Sequence, residues 1–147
     1  RFANPNVEVL NESCTAIKTL SPGSVDVVFM SNFLEHLPSK QLILETFHEA
    51  HRVLKPNGQI IVLQPNIRFV KGEYWDFFDH HTPLTDRSLC EALTLEKFTV
   101  SRSIARFLPY TTKSALPQAP WIVSLYLSLP FAWRLFGKQA LVVGRKN

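Results

Sequence analysis

The sequence predicts an α/β fold built on a mostly parallel sheet, with an antiparallel strand at its C-terminal end. Three observations carry this. Val25–Met30 (VDVVFM) and Gln59–Leu63 are apolar almost throughout instead of alternating, as strands covered on both faces require. Between them Ile43, Phe47, Ala50 and Leu54 recur at the spacing of one helical face. Strand, helix and strand within about 40 residues form a right-handed crossover joining two parallel strands.

The elements follow in order. Val7–Leu10 is a β-rich run that ends in Asn11, Glu12 and Ser13, and reads as a strand leaving into a loop with Pro22 and Gly23. Val25–Met30 takes a central place in the sheet. The helix over Pro38–Leu54 turns Lys40, Glu45, Glu49 and Arg52 to solvent. It stops at Lys55-Pro56-Asn57-Gly58, where proline cannot continue the helix and glycine supplies the positive φ of the turn. After Gln59–Leu63, a long polar and aromatic loop runs from Asn66 to Pro83. Thr85 caps a helix running to about Glu96, with Leu84 and Leu89 at hydrophobic-staple positions and Leu89, Ala92 and Leu93 facing inward. Phe98–Phe107 and Ala140–Val143 are the last strands. The uncharged run Ser114–Trp133 carries Trp121, Tyr126, Phe131 and Trp133, and Pro117, Pro120 and Pro130 limit it to two short helices. It is too broken to span a membrane and reads as a packed lid or core insertion, with interfacial membrane contact as the alternative.

Composition sets the class. With 147 residues, 46% hydrophobic and 19% charged, the chain is one globular domain, 1–147, and disorder, collagen-like repeats and coiled coil are excluded. Cys14 and Cys90 lie far apart with no CxxC pair, so neither a disulfide framework nor a zinc ribbon is encoded. A reducing, cytoplasmic setting is the expectation. The 16 basic and 12 acidic side chains are scattered, and only Arg145 and Lys146 stand together. No basic stripe is written for a phosphate backbone, so nucleic acid is not an expected partner. The chain starts at Arg1 with no signal-peptide pattern.

In an open parallel sheet a ligand lies beyond the carboxyl ends of the strands. Those ends switch abruptly from aliphatic to polar: Asn11, Glu12 and Ser13; Ser31 and Asn32; Gln64, Pro65 and Asn66. Taken together they favour a pocket for a polar small molecule, with the helix near Pro38 adding its positive end.

Ser24–Leu37 (SVDVVFMSNFLEHL) followed by His51–Asn66 (HRVLKPNGQIIVLQPN) resembles the central motifs of class I S-adenosylmethionine-dependent methyltransferases, in the subgroup with an N-x-L-E-H signature. The resemblance implies a Rossmann-like three-layer α/β sandwich and S-adenosylmethionine as cofactor. It places Ser13, with Cys14 beside it, where the family often has an acid that meets the adenine, and leaves Glu12 as a substitute. Ser31, Asn32 and Phe33 match the loop bordering the methionine part, where an aromatic ring suits a sulfonium cation; core packing is the other reading of Phe33. Asp26 matches an acidic position that reads as a structural hydrogen-bond partner. Glu35 and His36 match the signature, and His36 either faces the reaction centre or hydrogen-bonds at the helix start.

The family's glycine-rich turn and the acid ending its second strand are not found here, and no two of the five glycines are close enough for a GxG turn. The expectation is therefore a chain truncated at its N-terminus. An upstream segment of about 70–90 residues, at roughly 30 or more per βα unit, would complete the sheet. Without it the edge of VDVVFM stays open, and the chain is unstable or self-associates.

On the acceptor side, loop 66–84 contains Gly72–Thr85 (GEYWDFFDHHTPLT). Methyl transfer from a sulfonium needs a base only when the nucleophile must lose a proton. His80 or His81 suits that role, with Asp79 or Asp76 orienting the ring; the other reading is an ordered cap packed on the next helix. No HxxxH or HExxH spacing occurs and adjacent histidines usually point apart, so no metal site is expected. The reading is methyl transfer to a small or lipid-like acceptor beneath an apolar helical lid at 114–137, the chain being cytoplasmic or peripheral to a membrane surface. The rivals are a non-catalytic binding or scaffold module on the same fold and a peripheral membrane protein.

Overall fold

The computed structural model describes residues 6–110 and 119–147. Four strands form one sheet in the order β1-β2-β4-β3: β1 (Val25–Ser31), β2 (Leu54–Pro65), β3 (Phe98–Ile104) and β4 (Gln139–Lys146). β1 and β2 are parallel, while β4 runs antiparallel to both β2 and β3. Three strands thus point one way and β4 the other, as the sequence predicts. Helices α1 (Lys40–Val53) and α3 (Asp86–Leu95) pack on the sheet. The core joins Ile43, Phe47 and Ala50 of α1 to Ile60 and Val62 of β2, Leu89 and Leu93 of α3, and Val142 of β4.

The caps work as the residue types dictate. Ser39 accepts from Leu42 N–H to start α1, and Thr85 and Ser88 form a reciprocal capping box on α3, a cap worth about 1 kcal/mol. Leu84 and Leu89 are buried on either side of that cap.

Other expectations are corrected. Val7–Leu10 makes no strand, since among the described residues none pairs with it, and Val9 is 89% exposed. β1 lies at the sheet edge instead of the centre, with Val27 49% and Phe29 62% exposed. In the turn after α1, Asn57 and not Gly58 takes the positive φ of 66°. Gly58 is needed for space, because a Cβ there would meet Lys55 O at 2.9 Å and Asp26 O at 3.1 Å. Glu49, read as solvent-facing, is buried: it accepts from Ile17 N–H at 2.7 Å and pairs with Arg52, which also donates to the carbonyls of Ile17 and Leu20. This pair ties residues 17–20 to α1. Its Arg52 hydrogen bond, acting against burial, holds the Glu49 carboxyl below its usual range. The 66–84 loop is also more ordered than expected, with helix α2 (Ile67–Val70) and a 3₁₀ segment (Lys71–Asp76).

The uncharged run forms two short helices, α4 (Pro120–Ser128) and α5 (Pro130–Phe136); its part before residue 119 lies outside the described residues. Neither helix has a buried residue, so a core insertion is excluded for this part. Trp121, Leu125, Phe131 and Leu135 are exposed. The hairpin is held at its base: Tyr126 donates to Phe107 O, Trp133 Nε1 donates to Tyr126 O, and Arg106 donates to the carbonyls of Leu135 and Gly137 while lying 5.0 Å from the Phe69 ring. Among the described residues no helix is long and apolar enough to cross a membrane.

Candidate functional site

A cavity of about 190 Å³ is lined by Asn32, Glu35, His36, Phe77, Asp79, His80 and Tyr110. It lies beyond the carboxyl end of β1, where an α/β sheet offers loops and backbone to a ligand. β1 ends at Ser31, and Asn32 turns the chain with a φ of 45° while donating to Leu63 O of β2. A 3₁₀ turn, Leu34–His36, follows and buries Glu35. The Glu35 carbonyl accepts from the N–H groups of His81 and Thr82, and the Thr82 hydroxyl donates to Leu37 O. Backbone pairing therefore brings residues 77–82 against the turn after β1.

Partners set the state of each ring. His80 Nδ1 lies 2.8 Å from Tyr74 O, a carbonyl that can only accept, so Nδ1 carries the hydrogen and Nε2 keeps its lone pair. The His80 ring is enclosed by Tyr74 and stacked on Phe77, with ring centroids 4.6 and 4.9 Å away. His36 Nδ1 lies 3.1 Å from both Asp79 O and Asp79 Oδ2, so it too is the donor. Glu35, 1% exposed, accepts from Gln64 Nε2 at 2.9 Å. One ligand atom each of Glu35, His36 and His80 lie within 4.8 Å of one another.

Buried polarity is concentrated around this point. Gln64 Oε1 and Tyr74 OH are buried with no hydrogen-bond partner among the described residues, a state that costs about 1–3 kcal/mol per group unless a ligand or water completes it. Burial, then the Glu35 charge, pushes the Tyr74 phenol far above its ordinary range, and the same two causes push Tyr110 up to about 12. Both phenols stay protonated at neutral pH, so each has an O–H to offer a ligand.

The structure sorts the residues that the sequence singles out. Asn32, His36 and His80 line the cavity. Ser31 is exposed at the end of β1, and Phe33 is half-buried against the core. Ser13 and Cys14 do not line the cavity: Ser13 bonds Thr15 in a tight turn, and Thr46 donates to Cys14 Sγ at 3.4 Å. Glu12 is engaged by Thr19, whose hydroxyl and N–H both donate to it and lower its pKa. His81 is exposed and contributes its backbone. Asp26 pairs with Lys55 at 2.8 Å, the structural role expected of it. Asp79 orients a histidine, but that histidine is His36; Tyr74 O orients His80.

The sequence places Gln64 on the polar rim, Glu35 in the signature and Tyr74 in the acceptor-side loop without joining them, and it does not single out Tyr110. A second buried network sits nearby in sequence: Asn66 donates to Asp86 at 2.8 Å and to Ala105 O, and Arg68 donates to Asp86 at 2.9 Å. Burial alone would raise the Asp86 pKa, yet these two donors hold it below the usual range. A shallower groove of about 360 Å³ over residues 15–18, Glu49 and Arg52 lies at the opposite end of the strands, with Glu49 and Arg52 already paired to each other.

Residues 1–62 match the family model of a methyltransferase domain. No curated protein matches the chain. Among solved structures, a SAM-dependent methyltransferase from Archaeoglobus fulgidus superposes with a TM-score of 0.69 at 17% identity, over 99% of this chain and 70% of that one. A SAM-dependent methyltransferase from Thermotoga maritima gives 0.68 at 15% identity, over 96% and 65%. The N-methyltransferase NodS from Bradyrhizobium japonicum, in complex with S-adenosyl-L-homocysteine, gives 0.57 at 11% identity, over 93% and 53%. The chain thus spans between about half and 70% of the length of these proteins. At such identities the likeness is one of architecture: the chain has the Rossmann-like α/β fold of SAM-dependent methyltransferases.

Proposed function

We propose that the chain forms the acceptor-side part of a methyltransferase that uses S-adenosylmethionine and acts on a small or lipid-like acceptor. The observation that carries this reading is the polar cavity of Asn32, Glu35, His36 and His80 at the carboxyl end of β1, on a fold shared with SAM-dependent methyltransferases. The fit to the cofactor is partial. Asn32 and Phe33 suit its methionine end, whereas among the described residues no enclosing cradle receives the adenosine, Ser13 and Glu12 being bonded to Thr15 and Thr19. The free edge of β1 is where a further strand would pair and bring such a cradle, so an upstream segment belongs to this proposal.

When bound, the cofactor supplies a methyl group already activated for in-line displacement. The chain's own residues then align the acceptor and take its proton. His80 holds its ring by Nδ1–H and presents Nε2, and Tyr110 closes the cavity as a protonated donor. The exposed apolar faces of α4 and α5 support an apolar acceptor and contact with a membrane surface. Free Cys14 and Cys90 accord with a reducing, cytoplasmic setting.

Calorimetric titration of the protein with S-adenosylhomocysteine tests the reading: saturable binding is expected, and no heat at millimolar ligand would sink it. Liposome co-sedimentation with and without α4–α5 tests the membrane contact, which retention of binding after their removal would exclude.

A further inference from the structure

The three side chains at the bottom of the cavity form an arrangement that a proton acceptor alone does not require. Both imidazoles commit Nδ1 to partners other than Glu35: His80 donates to Tyr74 O and His36 donates to Asp79. Among the described residues no hydrogen bond joins either ring to the Glu35 carboxylate. If the histidines served only to satisfy a buried acid, their N–H groups would point at it. Instead one ligand atom each of Glu35, His36 and His80 lies within 4.8 Å of the others, and with both Nδ1 atoms engaged elsewhere the two Nε2 atoms are the ones left to bind.

From this geometry we infer that Glu35, His36 and His80 form a binding site for a divalent transition-metal ion of the zinc or cobalt class. Three features support it. The donor set of two imidazoles and one carboxylate suits such ions and leaves open positions for a further ligand. Each donor has the outer partner that metal sites use: a carbonyl behind His80, a carboxylate behind His36 and the Gln64 amide behind Glu35. Glu35 and His80 are buried, and His36, with 38% of its side chain exposed, is free to adjust. Ligands on a tetrahedral ion sit roughly 3.4 Å apart, given bonds of about 2.0–2.2 Å, so a modest closing of the triad brings its three donors to bonding distance. The ion would face the same cavity as the proposed acceptor and hold an oxygen or nitrogen of that molecule; with His80 Nε2 on the ion, the acceptor's pKa is lowered by the metal and its proton leaves to solvent instead of to His80. Binding of the ion itself does not rest on the methyl-transfer reading.

The test is titration of the untagged, metal-stripped protein with Co²⁺, followed by visible absorption and calorimetry. One Co²⁺ per chain is expected, with d–d bands that Zn²⁺ abolishes and that an equal concentration of Mg²⁺ leaves unchanged. His36→Asn, at an exposed position that endangers folding least, should weaken binding at least tenfold, and Asp79→Asn by about 10–100-fold through loss of its hold on His36. His48→Asn, at an exposed histidine bonded to Glu96, should leave affinity unchanged. Absence of stoichiometric binding, displacement by Mg²⁺, or affinity indifferent to His36→Asn overturns the inference. Because S-adenosylhomocysteine binding is measured separately, failure of one reading leaves the other standing.

Discussion

The two edges of the sheet are built differently. β3 presents Thr99, Ser101, Arg102 and Ser103 to solvent, and its register slips between Val100 and Arg102. Polar side chains, a charge and an irregular ladder are the devices that keep an edge from recruiting another strand. At the other edge β1 exposes Val27 and Phe29 along a hydrogen-bonding row that no described residue pairs with, with only Asp26 charged, at its start. One edge is finished and the other is left ready to pair. Substitutions on the finished side should therefore cost stability, and those on the open side should alter association.

The largest effect should appear at the open edge. The isolated chain should self-associate with rising concentration, and Val27→Lys with Phe29→Lys should shift sedimentation to the monomer, weakening association at least tenfold. Ser101→Lys with Ser103→Lys on β3 should change neither. If both pairs behave alike, the edges are not distinct. On the finished side, Gly144→Val places a side chain where a Cβ already meets Ile60 Cγ2 at 3.0 Å and Phe98 Cβ at 3.2 Å, and should lower unfolding free energy by about 1–3 kcal/mol in urea. Thr85→Ala removes half of the α3 capping box and should cost about 1 kcal/mol in the same measurement.

Acid separates the two sides further. Glu49, which ties residues 17–20 to α1, and Asp86, which joins Asn66 and Arg68, both have carboxyls held below their ordinary range. A depressed folded pKa contributes stability that is complete above the unfolded value and is lost as pH falls through the folded one, so both contributions fade below about pH 4. The protection factor of the Ile17 N–H should fall there, and Glu49→Gln should bring that loss of protection to neutral pH while β4 stays protected. The smallest effect belongs to His81→Ala, which should leave turnover of the proposed enzyme within a few-fold, whereas His80→Ala should lower it far more.

Much of the architecture was legible because it is local. Ile43, Phe47 and Ala50 mark a helical face by period, Thr85 marks a helix start by its hydroxyl, and two apolar runs mark the parallel pair. What escaped depends on groups distant in sequence. Glu49 sits on a polar stripe by spacing, yet Ile17 N–H, 32 residues earlier, makes burial of its charge tolerable. The interior position of VDVVFM presumed a neighbour on both sides, and its composition cannot say which residues supply one. The triad is hidden for the same reason: Glu35 and His80 are separated by 45 positions in sequence, and they meet because the Glu35 carbonyl takes the N–H groups of His81 and Thr82. Adjacent histidines do diverge, as the spacing argument held, but one of them suffices when its partner comes from the turn after another strand.

The grip of Arg106 on the end of α5 governs how the α4–α5 hairpin can yield. Its guanidinium holds two carbonyls and rests on Phe69, so the root of the hairpin is a rigid joint, while the outer turn around Leu129 and Pro130 buries nothing. A guest pushing from below would bend this pair like a cantilever, with displacement growing toward the tip and strain returning to the joint, where Phe69 belongs to the helix that begins at Ile67 just past β2.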